Sequence, residues 1–285
     1  MKKIFILLYL YITLGIIYAQ GGGYSLDLDG NNDYVILPSS INSAIGNNIT
    51  LEGWFYITSL GENSMLIGES YLGDGNIEFM IYQYDANTLG FGFYNGAFQT
   101  VTYAMPKDKW THIAVTYDQS NITVYYDGSQ VAQTAKTNAL PTGSEEWRIG
   151  KRWDANHWLD GSVDDIRIWD DARTQSEIQE YMHKEVPSDA GGLVANYKMS
   201  DGSGTSLTDN SDNSYTGTLT NMANSDWITS YAPIGDLNSS YETDVEAIWK
   251  VSGTNASDAS DGLTMTVSSA LSTGNFAVYG NNNTS

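Results

Sequence analysis

Apolar and polar residues alternate in short runs along most of the chain, and turn signals separate these runs. Tyr24 to Asp29 alternates Tyr, Leu and Leu with Ser, Asp and Asp, which is typical of a half-buried β-strand. From Ile49 to Ile57 bulky residues occupy both parities, so we expect this strand to lie in a sheet covered on both faces. Asn95-Gly96 and Asp127-Gly128 each separate two such runs, as in β-hairpins. The pattern predicts an all-β protein.

The other predicted strands have the same features: short length, alternation and flanking turn residues. They are Tyr34 to Leu37, Ile77 to Tyr84, Leu89 to Tyr94, Ala97 to Tyr103, Trp110 to Tyr117, Ile122 to Tyr126 and Gln130 to Thr134. No helical periodicity separates them, which favours a sandwich, barrel or jelly roll.

One stretch, from Gly161 to Ile178, combines a strand, a turn and a short helix. Its strand carries the charged residues Asp164, Asp165 and Arg167, and such side chains are rarely buried without a partner. Thr174 to Glu177 has the sequence of a capping box, which predicts a helix of two to three turns.

The N-terminus predicts export. Lys2 and Lys3 precede an apolar run from Ile4 to Ile17, which is typical of a signal peptide over residues 1–19 with cleavage after Ala19. The alternative is a membrane anchor, but the run is shorter than the roughly 20 residues that a membrane span needs. The protein is therefore expected to be secreted or at the cell surface, without membrane insertion after cleavage.

Composition narrows the partners and the sources of stability. The chain has 13 Lys and Arg against 34 Asp and Glu, a formal charge of −21, and it has no cysteine. Nucleic acid and anionic membranes are poor partners for such a surface, whereas cations are suitable ones. Without disulfides, a buried core or a bound metal must stabilise an exported chain.

Five segments resemble one family. SLDLDGNNDYVILP, ITLEGWFYI, KWTHIAVTYD, ITVYYDGSQV and LDGSVDDIRIWDDARTQSEI occur in the order found in laminin-G-like jelly-roll modules of the concanavalin A-like lectin/glucanase superfamily, over about Tyr24 to Val186. The resemblance implies an antiparallel β-sandwich (jelly roll) with one short helix. It does not select a function, since this fold is found in lectins, adhesion modules and enzymes.

The domain prediction assigns residues 20–234 to this jelly roll. Residues 192–234 look like strands that close it, and the alternative is that they begin a second copy. Residues 235–285 are interpreted as a linker and the truncated start of another, partial β module.

Calcium is the cofactor that several acidic clusters suggest, because its ligands are hard oxygens. Asp29 and Asp33 form one cluster, Asp209 and Asn213 belong to another, and Asp164 could add a carboxylate. Calcium sites at sheet edges are also implied by the family resemblance. The alternative is that these side chains cap turns through hydrogen bonds with nearby backbone; for Asp164 we would then expect hydrogen bonds from backbone or arginine.

Carbohydrate binding is predicted for the loop from Lys151 to Trp158. Trp153, Asn156, His157 and Trp158 combine two indoles with an imidazole and an amide, and loops on rigid sandwiches are common binding sites. The alternative is that both tryptophans fold inward and cover the sheet edge.

Catalysis is not predicted. Glu242, Asp244 and Glu246 alternate like the catalytic strand of the family's glucanases, but they follow the expected linker, and a solvated strand face is the favoured interpretation. The histidines show no zinc spacing, and nucleophile and phosphate-binding motifs are lacking. The sequence thus predicts a secreted, non-catalytic binding or adhesion module that recognises carbohydrate or a cell-surface partner. A structural spacer and a glycoside hydrolase fragment are the alternatives.

Overall fold

The computed structural model describes residues 23–61, 64–69, 77–152 and 158–234. These residues form sixteen β-strands and one α-helix, α1 (Gln175–Tyr181), with single 3-10 turns at Ser39–Ala44 and Asn224–Asp226. The strands are β1 (Tyr24–Asp29), β2 (Tyr34–Leu37), β3 (Ile49–Leu60), β4 (Met65–Glu69), β5 (Ile77–Asp85), β6 (Thr88–Tyr94), β7 (Phe98–Ala104), β8 (Trp110–Tyr117), β9 (Asn121–Tyr126), β10 (Ser129–Ala135), β11 (Trp147–Ile149), β12 (Leu159–Trp169), β13 (Leu193–Tyr197), β14 (Ser206–Leu207), β15 (Gly217–Thr220) and β16 (Trp227–Thr229).

The strands form two antiparallel sheets of eight strands each. The first sheet has the order β10-β9-β8-β3-β12-β1-β16, with β13 added to β12, and the second has the order β14-β15-β2-β11-β4-β5-β6-β7. Both predicted turns join neighbouring strands, β6 to β7 and β9 to β10. Asp127-Gly128 is a two-residue turn as predicted, but Tyr94 pairs with Phe98, so the turn at Asn95-Gly96 also includes Ala97. The predicted all-β sandwich with one short helix is confirmed.

The core lies between the sheets and consists of the inward-facing residues of both. Phe55 of β3, Phe91 of β6, Tyr117 of β8 and Trp147 of β11 are among its fully buried members. Burial of large aromatic side chains contributes about 1.5–3 kcal/mol each, which supplies stability to a chain without cysteine.

A β-bulge in β12 determines which charged side chains share a face. Asp164 is opposite Trp54 and Arg167 is opposite Glu52, so two residues of β12 face Gly53 alone. Without the extra residue, positions three apart would point to opposite faces; with it, Asp164 and Arg167 project to one side. That side is the outer face of the first sheet.

Helix α1 begins as its sequence predicts. The backbone N–H of Glu177 donates to Thr174 Oγ1 at 3.3 Å, and the backbone N–H of Thr174 donates to Glu177 Oε2 at 2.7 Å. Ile178 is buried against Ala114 and Tyr125 on the outer face of the first sheet. The capping box thus begins a helix that covers this face.

The last described strands join both sheets. β13 pairs with β12, β16 pairs with β1, and β15 pairs with β2. Strands that follow the helix therefore take part in the same sandwich as the strands before it. The predicted signal peptide (1–19) and the predicted further module (235–285) lie outside the described residues. In the described part of the chain, no helix is long and apolar enough to cross a membrane.

Candidate functional site

A cleft of about 540 Å³ opens on the outer face of the second sheet. We call it the aromatic cleft, and its lining residues are Met65, Met80, Tyr82, Tyr84, Phe98, Thr100, Thr102 and Arg152. Most of them occupy the outward positions of β5 and β7, because their neighbours in sequence face the core. The sequence does not predict this cleft, because its lining residues come from β4, β5, β7 and the segment after β11.

The ring of Tyr82 forms the floor of the aromatic cleft. It lies across β6 at Gly90, where a Cβ atom would come within 2.6 Å of the ring. Its hydroxyl is 3.3 Å from Thr100 Oγ1 on β7, and its ring stacks with that of Phe98 at a centroid distance of 6.0 Å and an angle of 25°. Glycine at position 90 therefore allows one flat aromatic surface to extend over three strands.

Exposed rings and polar groups complete the cleft. Tyr84 is 58% exposed and Phe98 is 51% exposed, although large apolar side chains are usually buried in folded proteins. Burial raises the pKa of Tyr82, while the hydrogen bond with Thr100 and the positive charge of Arg152 act in the opposite direction. Tyr82 therefore stays a neutral hydroxyl with a guanidinium close enough to influence it.

These groups suit binding better than hydrolysis. Aromatic faces on a rigid sheet offer a stacking surface, and the hydroxyl and guanidinium groups offer hydrogen bonds that fix the orientation of a ligand. Among the described residues that line the cleft there is no Asp or Glu, whereas most glycoside hydrolases need two carboxyl groups beside the scissile bond. The predicted acids Glu242, Asp244 and Glu246 lie outside the described residues.

The predicted sugar-binding loop begins beside the aromatic cleft. Arg152 lines the cleft and directly precedes Trp153, but Trp153, Asn156 and His157 lie outside the described residues. Trp158 is half-buried and forms a β-bridge with Lys151, whose Nζ atom is 5.5 Å from the indole centroid. The described end of the loop is thus anchored, and its role in binding stays a prediction.

The two acidic residues predicted at the β1–β2 turn remain neighbours. Asp29 Oδ1 accepts the backbone N–H of Asn31 at 2.9 Å and that of Asn32 at 3.1 Å. Burial alone would raise the pKa of Asp29, but these hydrogen bonds lower it overall. Burial and the negative charges of Asp29 and Asp226 raise the pKa of Asp33 to about 6.

Asp164, a third predicted metal ligand, lies elsewhere. Asp29 pairs with Asp160 across β1 and β12, so four residues, roughly 13 Å of strand, separate it from Asp164. Asp164 is buried and accepts a hydrogen bond from the hydroxyl of Ser230 and, as expected, one from backbone, the N–H of Asp165. Burial raises its pKa well above the ordinary value.

The remaining predicted ligands, Asp209 and Asn213, hold a loop to β13. Asp209 accepts the backbone N–H groups of Asn196 at 2.8 Å and Tyr215 at 2.7 Å. The side-chain amide of Asn213 donates to the carbonyl of Val194 at 2.9 Å. Across the described residues, no three His, Asp or Glu side chains are grouped as a metal site, and calcium binding stays a prediction.

Asp33 gives a pH-dependent prediction. Its pKa is higher in the folded protein than in the unfolded chain, so protonation of Asp33 stabilises the fold. This stabilisation is fully present below about pH 4 and is lost as the pH rises through 6. Asp33→Asn should therefore raise the free energy of unfolding at pH 7.5 by roughly 1–2 kcal/mol and change little at pH 4. Urea unfolding between pH 4 and 8 in chelator measures the difference.

Asp29→Asn is the matched control, because the pKa of Asp29 is lowered and its replacement should destabilise the protein at pH 7.5. Equal effects of Asp33→Asn at both pH values would contradict the prediction. Repeating the series with calcium tests the predicted metal site: a bound cation would increase wild-type stability, and Asp33→Asn would reduce that increase.

A buried ionic cluster lies under helix α1 and the segment that follows it. Arg167 forms a two-pronged pair with Asp165, and its NH1 atom is 3.6 Å from Glu52 Oε1. Glu52 Oε1 also accepts Trp169 Nε1 at 2.9 Å. Burial holds the pKa of His112 well below its ordinary value, so its 3.7 Å contact with Glu52 is not an ion pair. The cluster is enclosed and offers no route to a ligand.

Comparison with known proteins agrees with this fold. One family profile, described as the concanavalin A-like lectin/glucanases superfamily, matches residues 29–179, more than half of the chain. The chain belongs to this superfamily. No curated protein sequence matches it.

Solved structures of the superfamily fold are also similar. A Bacteroides ovatus protein whose name gives carbohydrate binding as its expected function has a TM-score of 0.58 and 19% identity, with 74% of this chain and 61% of that chain covered. Domain 4 of an extracellular arabinanase from Geobacillus stearothermophilus, solved with arabinotriose, has a TM-score of 0.45 and 18% identity, covering 57% and 79%. This chain thus spans less than two thirds of the Bacteroides protein, and the likeness is one of fold.

Proposed function

We propose that this protein is an extracellular, non-catalytic carbohydrate-binding module that binds glycans in the aromatic cleft. The observation that carries the proposal is the aromatic surface of Tyr82, Tyr84 and Phe98 on a rigid sheet, with Arg152 at its side. The apolar face of a sugar ring packs against such a surface, while its hydroxyl groups take the hydrogen bonds. The carbohydrate-binding name of the Bacteroides ovatus protein agrees with this proposal.

The exposure of the rings favours binding over a purely structural role. A spacer module has no need of two aromatic side chains that are more than half exposed at one cleft. The absence of carboxyl groups among the described lining residues argues against a hydrolase site in this cleft. The extracellular location in this proposal rests on the predicted signal peptide. A cell-surface protein is the second candidate ligand of the module.

A glycan array and titration calorimetry test the proposal with the chain from Gln20 onward. Phe98→Ala on β7 and Tyr84→Ala on β5 should each weaken glycan binding about tenfold, the equivalent of about 1.4 kcal/mol. Trp158→Ala examines whether the neighbouring loop takes part. Tyr231→Ala is the matched control, because Tyr231 is also 51% exposed but does not line the cleft.

Three results would overturn the proposal. The first is that no glycan binds the wild-type protein. The second is that a glycan binds but both cleft variants retain full affinity, which would place the site elsewhere. The third is hydrolysis of a β-glucan that Glu242→Gln abolishes, which would identify an enzyme.

A further inference from the structure

The four strands that end the two sheet orders differ in how well they are protected from pairing with another chain. A fifth strand, β13, pairs only with β12, and its other side is hydrogen-bonded to Asp209 and Asn210. Protection usually takes the form of short length, a bulge, charge or proline. β14 has two residues and β16 has three. β10 has a register shift between Gln130 and Ala132. Three edges thus have a structural feature that discourages strand pairing.

The fourth edge, β7, has none of these features. It runs for seven residues, Phe98 to Ala104, and pairs with β6 without any register shift. Its carbonyl at Ala104 accepts the hydroxyl of Tyr126; otherwise its backbone bonds to described residues are those with β6. Strands β9 and β10 of the first sheet lie close to β7, but among the described strands only β6 pairs with it. A long, regular edge is a template for a further strand.

The distribution of charged residues indicates which partner could pair with β7. Residues 86–106 contain no Asp, Glu, Lys, Arg or His, in a chain whose formal charge is −21. Two copies of so acidic a chain repel each other over most of their surfaces. They can approach where charge is absent, and β7 lies within such a segment.

The sequence of β7 also matches itself in the antiparallel direction. If Val101 of one copy faces Val101 of another, Thr100 faces Thr102 and Gln99 faces Tyr103. Pairs of threonine stabilise antiparallel strands, and no like charges meet in this register. A two-fold axis through this point would make the interface identical on both sides.

We propose that β7 pairs with β7 of a second copy of this chain, antiparallel about Val101. The second sheets of the two copies then form one continuous sheet. Phe98, Thr100 and Thr102 line the aromatic cleft, so the partner's β7 extends the same outer face. Two clefts beside each other would bind multivalent ligands more tightly than one.

Sedimentation velocity of the chain from Gln20 onward, without glycan, tests the pairing at concentrations from about 1 to 100 µM. The wild type should sediment as two chains. Thr102→Lys and Thr102→Glu should each be monomeric, with the dissociation constant raised at least about tenfold, because like charges then lie on diagonal neighbours roughly 7–8 Å apart. An equimolar mixture of the two variants should restore the two-chain species.

Thr229→Lys and Thr229→Glu are the controls, since Thr229 is exposed on β16, an edge of the other sheet. They should sediment like the wild type, and circular dichroism melting should show all variants folded. A monomeric wild type, or Thr102 variants that still pair when charged alike, would overturn the proposal. The measurement contains no sugar, so its failure is separate from failure of the carbohydrate proposal.

Discussion

Arg167→Met should lower the free energy of unfolding by about 3–5 kcal/mol, the usual cost of removing one partner from a buried ionic pair. Arg167 is fully buried, and its NH1 and NH2 atoms donate to the carbonyls of Tyr181 at 3.0 Å and Lys184 at 2.6 Å. Methionine has a similar volume but no donors, so Asp165 and these carbonyls would lose their partners. Urea unfolding at pH 7.5 measures the loss.

Two further variants distinguish charge from geometry. Arg167→Lys keeps the positive charge but cannot form the two-pronged pair, so it should recover only part of the stability. Arg173→Met is the control: Arg173 is partly exposed over the ring of Trp169 at 4.2 Å, and its replacement should cost about 1 kcal/mol. If Arg167→Met cost no more than Arg173→Met, the cluster would not be what holds the segment after α1 to the sheet.

Asp209→Ala should be nearly as damaging, with a loss of about 3 kcal/mol or more, because each buried N–H left without an acceptor costs about 1–3 kcal/mol. Asp209 accepts hydrogen bonds from the backbone of Asn196, Ser211 and Tyr215. Asp209→Asn should cost less, since the amide oxygen can still accept. Thermal and urea unfolding with and without calcium measure the effect.

Asp201→Ala is the control for Asp209. Asp201 accepts the backbone N–H of Thr208 at 3.0 Å, but it is exposed, so water can replace it at a cost below about 1 kcal/mol. Loss of stability in Asp209→Ala that appears only with calcium would contradict a purely hydrogen-bonding role and support the metal prediction.

The strands that the sequence predicts best are those with clear boundaries. β1, β2 and β8 have the bounds that the sequence predicts, and the neighbours of Asn95-Gly96 pair as a hairpin. β4 and β11 were not predicted. β4 is buried at every residue and so shows no alternation, and β11 has three residues, whose pairing with β2 and β4 is visible only in the sheet.

The role of the predicted metal-binding residues could not be predicted from sequence alone. Aspartate followed by Asn and Ser suits a calcium loop and a hydrogen-bonded turn equally well, because both use carboxylate oxygens. An aspartate caps a turn instead of binding a metal where backbone N–H groups surround its carboxylate. At Asp209 these N–H groups come from β13 and from the loop itself. The aromatic cleft was missed because Tyr82, Gly90 and Thr100 come from three strands.

By itself the sequence determined the all-β class, two hairpins, the capping box of α1 and a family resemblance, since these depend on residue periodicity and on contacts between near neighbours. Only the tertiary structure decided which outward residues meet and which charges share a face. The bulge opposite Gly53 places Arg167 beside Glu52, and Gly90 lets Tyr82 reach Thr100. Strand register sets both arrangements, because a shift of one residue reverses every side chain.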